Sequence, residues 1–161
     1  MRGLLFCLAV MLTPFPGAAC DCKTLTVQKS LQDADVVFSG KVTDSKTVGF
    51  KGRFLGETIT VYTLKVSDVW KGDVPPTVAF YHYSLDSECS NVPFRKSEEW
   101  LIYAYTSQKS LIDELWKQVR SQGFTRPAFF YLTGICTRTR WLSDAQEDLR
   151  ELGQSKPPRV K

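Results

Sequence analysis

Four cysteines constrain this chain more than any other feature: Cys20 and Cys22 stand one residue apart, while Cys89 and Cys136 lie far along the sequence. What they can do depends on the compartment. Residues 1–19 carry one basic residue, Arg2, then an apolar run from Gly3 to Leu12, a Thr13–Gly17 stretch with two prolines, and Ala18 and Ala19. That is the layout of a signal peptide, with Gly17 and Ala19 at the positions a signal peptidase reads. The apolar run is too short for a stable membrane span. Residues 1–19, Cys7 included, are therefore expected to be removed, leaving 142 of the 161 residues as one exported domain of sufficient size for a real core. In an oxidising compartment the four remaining cysteines are expected to form two disulfides, in one of three connectivities. Cys20 and Cys22 are too close to bridge each other comfortably, so each is expected to reach a distant partner and pin the N-terminus twice.

Charge excludes little. The chain has 21 Lys and Arg against 17 Asp and Glu, and removing Arg2 with the leader leaves a side-chain excess of +3. This is too small and too dispersed to announce a nucleic-acid partner.

The hydrophobic pattern is mostly that of strands. Leu25, Val27, Leu31 and Ala34 suit a short helix after the Cys-Asp-Cys pin. Asp35–Val42 reads as a first strand with Gly40 inside it, where strands bulge or bend. Ser45–Glu57, with three glycines and the basic Lys46, Lys51 and Arg53, reads as a mobile hairpin loop. Glu57–Trp70 is the longest β pattern. Its apolar phase shifts between Val61 and Tyr62, which predicts a bulge or burial of both faces. Pro76–Tyr83, Glu98–Thr106 and Ala128–Cys136 supply three further strands. Helical spacing of Ile112, Leu115, Trp116 and Val119 predicts a helix over Ser110–Gln122, stopped by Gly123. A capping-box pattern at Ser143–Gln146, followed by Ala145, Leu149 and Leu152 on one stripe, predicts another that ends at Gly153. The polar, proline-containing residues 154–161 are expected to be a disordered tail. Five irregularly spaced strands suggest a small barrel.

These elements, in this order, resemble the netrin-like (NTR) domain of the tissue inhibitors of metalloproteinases (TIMPs). The residues that carry the resemblance are Cys20-Asp21-Cys22 at a processed N-terminus, Asp35–Val42, Val66–Gly72, the single Cys89, Ser97–Ala104, and Ile135–Leu149. The ordered set spans nearly the whole expected mature domain, residues 20–153. The resemblance implies a mainly β fold, an OB-like five-stranded β-barrel with two or three flanking α-helices. It also implies the pairings Cys20–Cys89 and Cys22–Cys136, each closing a loop long enough to stabilise by roughly 4 kcal/mol before strain.

The resemblance further implies a mechanism. In TIMPs the α-amine and carbonyl oxygen of the N-terminal cysteine chelate the catalytic zinc of a target protease. Here that residue is Cys20. An α-amine with a pKa of about 8 keeps a lone pair available near neutral pH, and a catalytic zinc leaves a coordination position open. A bridge from Cys20 to Cys89 would order both donor atoms before binding. By position, Asp21 enters the protease's specificity pocket, and Cys22, Ser87 and Glu88 contact the target around it. Asp21 stands where inhibitory relatives carry a small or hydroxyl side chain, and burying an unpaired carboxylate costs several kcal/mol. That residue supports an alternative, a non-inhibitory extracellular or membrane-anchored protein-interaction module on the same scaffold. Anchoring would follow if Ala18-Ala19-Cys20 were read as a lipobox and Cys20 lipidated.

The expected protein is thus secreted or extracytoplasmic, without enzymatic activity, cofactor or metal of its own, and its expected partner is a zinc metalloprotease or another extracellular protein. His82 is the single histidine, in a strand pattern, and is expected to be structural or on the surface. Glu98 and Glu99 are neighbours in a strand and point to opposite faces, which argues against a catalytic pair. Trp70, Trp100 and Trp141 are expected to pack in the core or at a barrel end. Lys46, Lys51, Arg53, Arg138 and Arg140 could form a basic patch on an OB-like barrel, the chemistry of single-stranded nucleic-acid binding. Export and the modest charge favour a solvated basic face instead.

Overall fold

The computed structural model describes residues 25–49, 58–84, 94–106, 120, 131–133 and 136–160. They form a mainly β domain with two helices, in the order α1 (Val27–Asp33), β1 (Val36–Gly49), β2 (Thr58–Lys71), β3 (Thr77–Ser84), β4 (Glu99–Thr106), β5 (Tyr131–Leu132), β6 (Arg140–Trp141) and α2 (Gln146–Leu152). The sheet order is β1-β2-β3-β5-β4-β6, and β1 pairs with β4 as well. All these pairings are antiparallel except β3 with β5, where Tyr81 faces Leu132 in parallel. Among the described residues no helix is long and apolar enough to cross a membrane.

Alternation along β1 and β4 buries both of their faces. Val36, Phe38 and Val42 of β1 and Trp100, Ile102 and Ala104 of β4 point to one side, where they meet Leu64, Val66 and Val69 of β2 and Val78 and Phe80 of β3. Val37, Leu101 and Tyr103 point to the other side. The helices cover that second side, through Leu31 and Ala34 beside α1 and Ala145, Leu149 and Leu152 beside and along α2. Each large apolar side chain fully buried in this way contributes about 1.5–3 kcal/mol.

Local chemistry sets the element ends. Thr26 N-caps α1, its Oγ1 accepting from the Lys29 N–H at 3.2 Å, so the threonine that interrupts the apolar pattern is the start signal of the helix. At the other end Lys71 Nζ donates to the Leu31 and Gln32 carbonyls at 2.7 and 2.9 Å, placing a cation at the negative pole of the helix. Gly72 follows β2 with φ of 80°, and a Cβ there would lie 2.6 Å from Val36 Cγ1. Glycine is required at that turn.

Four expectations change. The hairpin is longer than its glycines suggest: Ser45–Gly49 continues β1, pairing with Thr58–Tyr62, and the Thr47 and Thr60 hydroxyls bond across it at 2.8 Å. β-branched residues here favour the pleat over a loop, while residues 50–57 lie outside the described residues. The bulge falls elsewhere than Val61 and Tyr62. Register shifts occur between Val37 and Phe38, Ser39 and Gly40, and Val42 and Asp44, so the buried phase of β2 resets between Val66 and Val69. At Gly40 a Cβ would approach the Lys65 carbonyl oxygen to 2.9 Å, which fits the expected bend.

The capping box does not form. Residues Leu142–Asp144 make a 3-10 turn, α2 starts at Gln146 without a side-chain cap, and Ser143 Oγ donates to Asp144 Oδ1 at 3.0 Å. The tail is ordered up to Val160 rather than disordered. Val69 and Lys156 exchange backbone hydrogen bonds of 2.9 Å, and the Arg159 N–H donates to the Val74 carbonyl at 3.0 Å. Ser155 Oγ donates to Asp68 Oδ1 at 2.8 Å. β3 has turned away at this level, so the edge of β2 offers unpaired backbone groups that a polar segment can satisfy without burying itself. The helix expected over Ser110–Gln122 lies outside the described residues apart from Arg120, as do most of Ala128–Cys136. The two-residue strand β6 was not expected.

Candidate functional site

The residues expected to act, Cys20, Asp21, Cys22, Ser87, Glu88 and Cys89, lie outside the described residues. The structure instead defines what holds the segment that follows Cys22. Cys136 opens the turn before β6 and is disulfide-bonded. Two residues later, Arg138 reaches back to the beginning of the described chain, and its Nη1 donates to the Leu25 carbonyl at 2.6 Å.

Arg138 can hold that contact because its own position is over-determined. Its Nε and Nη2 donate to the two oxygens of Asp148 at 2.7 and 3.1 Å, a bidentate pair, and Nη2 also donates to Glu147 Oε2 at 2.9 Å. Asp148 sits in the first turn of α2 with its side chain fully buried, and Arg138 is 10% exposed. Tyr103 of β4 donates its hydroxyl to Asp148 Oδ1 at 2.9 Å, and Arg140 Nη1 lies 3.6 Å from Oδ2. Burial, followed by the Asp148 charge and its hydrogen bond, raises the Tyr103 hydroxyl well above its ordinary value. The hydrogen bond to Asp148 raises the Arg138 guanidinium, against the opposing effect of burial. A buried ion pair of this kind adds little net stability over an apolar substitute. Its consequence is positional, since a planar five-donor fork fixes three elements and the Leu25 carbonyl in one arrangement.

Hydroxyls complete the frame. Between β5 and β6 the outer edge of β4 has no strand opposite Tyr103. Thr139 Oγ1 accepts from the Tyr103 N–H at 3.0 Å, and Thr133 Oγ1 donates to its carbonyl at 3.1 Å. Both backbone groups are satisfied by side chains, which keeps the Cys136 turn against the sheet.

The basic-patch expectation is corrected at Arg138 and Arg140. They converge on a buried carboxylate, because desolvating Asp148 without cations would be far more costly than turning two arginines inward. Lys46 is exposed on β1, and Lys51 and Arg53 lie outside the described residues. His82 faces Thr60 in the β2–β3 register. Glu98 precedes β4, and its Oε2 accepts from the Arg95 N–H at 3.0 Å and from the indoles of Trp100 and Trp141 at 3.2 and 3.4 Å. Burial acts to raise its carboxyl, but these three hydrogen bonds and the Arg95 charge together lower it. Trp100 is buried as expected and Trp70 partly so, its indole donating to the Gly153 carbonyl at 3.0 Å, whereas Trp141 is 45% exposed. β6 is a two-residue edge paired with Trp100 and Leu101 of β4, too little structure to cover a second indole.

Asp148 and Tyr103 were not singled out from the sequence. An acidic residue in a helix's first turn is ordinary on dipole grounds, and a tyrosine in a strand is ordinary on propensity. The available signal was the doubled Arg138-Thr-Arg140 just upstream of a helix with Glu147-Asp148. Among the described residues no group of three or more His, Cys, Asp or Glu could hold a metal ion. Compared with known proteins, the chain matches no family model and no curated protein.

Proposed function

We propose that this chain is a secreted metalloprotease inhibitor of TIMP type, with the Cys20 amine and carbonyl as donors to the target's zinc. The observation that carries this reading is the Arg138–Leu25 hydrogen bond of 2.6 Å. Leu25 is three residues after Cys22 and Arg138 two after Cys136, so the contact leaves both cysteines within reach of each other at about 3.5 Å per residue. It supports the Cys22–Cys136 bridge and an N-terminus held before its target arrives, which lowers the ordering cost of binding. The sequence of pairings from β1 through β2, β3, β5 and β4 and back to β1 supports an OB-like barrel as the scaffold.

The test starts with the mass and N-terminal sequence of the natively exported protein, before and after reduction, followed by inhibition of a panel of zinc proteases. The reading expects a Cys20 start, four thiols that appear only on reduction, and inhibition that is lost when the α-amine is acetylated. A start elsewhere, a lipid on Cys20, or no inhibition across the panel refutes it. Asp21 favours the second reading, an interaction module on the same scaffold. Replacing Asp21 with Thr separates the two: inhibition gained by the variant alone marks a scaffold whose tip serves another partner.

A further inference from the structure

A second site lies apart from the Cys20 reading and does not depend on it. Apart from Val160 in the tail, Trp141 is the one large apolar side chain among the described residues that is left exposed. Single exposed apolar residues are common, but this one is held rigid. Its backbone pairs with Trp100, its indole N–H is directed to Glu98 Oε2, and its ring rests on Trp100 with centroids 5.6 Å apart at 53°. Trp100 in turn packs on Phe94 at 4.4 Å. One indole face is therefore presented to solvent on a foundation that reaches into the core.

The indole lines an open groove of about 770 Å3, together with the polar Lys41, Ser97, Glu98, Glu99, Ser143 and Gln146 and the apolar Leu142 and Leu149. That volume falls in the range of small-molecule sites. The side chains of Lys41, Ser97, Glu99 and Gln146 have no hydrogen-bond partner within the molecule among the described residues. The Ser143 hydroxyl donates to Asp144 and retains its acceptor lone pairs. Glu98 takes all three of its donors on Oε2, so Oε1 remains. The rim thus offers acceptors, a cationic donor and groups that do both.

A pyranose ring matches this arrangement. One of its faces is a patch of C–H bonds suited to the negative face of an indole, and its equator is a ring of hydroxyls that both donate and accept. Among the groove's side chains one cation stands against two carboxylates, too weak a field to select a highly charged ligand. Leu142 and Leu149, the other apolar side chains of the lining, are half-buried, so Trp141 is the one exposed apolar anchor there, short of the cluster that protein hot spots require. The geometry points to a saccharide-binding groove, in which Trp141 stacks on a neutral sugar ring and Lys41, Glu99 and Gln146 take its hydroxyls.

The test is a titration of the isotope-labelled exported chain with cellobiose, chitobiose and maltose at millimolar concentration, following the indole N–H resonance that disappears in Trp141→Phe. The expected result is a saturable shift with at least one disaccharide; in Trp141→Ala, which lacks this reporter, the backbone amide resonances of Ser143 and Gln146, moved by sugar in the parent, should stay in place. Gln146→Ala, an exposed change that leaves the fold intact, should weaken binding on the order of three- to tenfold, which keeps the test decisive if Trp141→Ala fails to fold. The inference is overturned if no sugar moves the resonance, if Gln146→Ala binds as tightly as the parent, or if a tetra-arginine peptide shifts it and the sugars do not. The last outcome would assign the groove to a cationic protein segment.

Discussion

The two faces of the β1–β4 pair are packed by different means. On the inner face Phe38, Tyr62, Phe80, Phe94 and Trp100 interlock with valines, Leu64 and Ile102, with Tyr62, Phe80 and Phe94 centroids 4.9 to 5.4 Å apart, and no charge is buried among them. On the outer face the apolar patch is smaller, and Asp148 is buried beside it with Arg138 and Tyr103 closing around the carboxylate. The inner face can tolerate many apolar combinations of the right volume. The outer face tolerates one arrangement, because each partner of a buried charge depends on the others. The difference shows where this fold spends specificity: at the junction of α1, α2 and the Cys136 turn, beside the N-terminal segment.

Breaking the outer face should have the largest effect. Asp148→Ala leaves Arg138 buried without its partner, and is expected to cost on the order of 3–5 kcal/mol in urea unfolding. Replacing both Arg138 and Asp148 with apolar residues of similar volume should recover most of that loss, as pairs removed together often do. The double variant would then be stable but would lose hydrogen-exchange protection at the Lys29 and Ser30 amides, which bond to Thr26 beside Leu25, the result expected if the pair's role is positional. Full recovery of that protection would contradict it. Phe80→Ala on the inner face should cost about 3–4 kcal/mol by cavity formation, with no change in protection at the Lys29 and Ser30 amides beyond that global loss.

A smaller effect sharpens the comparison through pH. The Tyr103 hydroxyl is raised above its ordinary value of 10 by burial and by Asp148. Its contribution to stability is therefore complete below pH about 10 and is lost as pH rises beyond it, where the unfolded chain ionises first. Tyr103→Phe should cost about 1 kcal/mol near neutrality and flatten the alkaline decline of the urea midpoint. An unchanged alkaline slope would remove Tyr103 from the network.

The smallest effect belongs to Glu98. Its carboxyl is lowered below 4.5, so its contribution is present above that value and lost as pH falls through the folded-state value. Glu98→Gln should show a shallower acid-side decline of the unfolding midpoint than the parent, with little change at neutral pH. A parallel decline in both proteins would refute the assignment.

Legibility divided along the same line as the packing. β1 to β4 were readable because Asp35–Val42, Pro76–Tyr83 and Glu98–Thr106 are short runs rich in β-branched, aromatic and aliphatic residues with polar residues at their ends, the composition of a buried strand. The second helix was placed within three residues, but its start was misread, since Ser143 prefers its neighbour Asp144 to the backbone N–H of the next turn. The tail was misread as well. Low hydrophobicity says that Gln154–Val160 cannot form a core, but not that an open strand edge will bind its backbone. Of the candidate site, Cys20, Asp21, Cys22, Ser87, Glu88 and Cys89 lie outside the described residues. Arg138 was noticed for its charge and given the wrong surroundings.

By itself the sequence determined the β-rich character of the domain, the places of four strands and the bend at Gly40, because residue patterning and backbone sterics are local quantities. Only the tertiary structure decided that Arg138 and Asp148, ten residues apart, meet Tyr103 and the Leu25 carbonyl, that Trp141 stays exposed above Trp100, and that the tail pairs with Val69. The physical reason is common to all three. Desolvation and hydrogen-bond satisfaction depend on which surfaces the folded chain brings together, and side chains of one chemical type answer those demands either by ionising in water or by pairing inside.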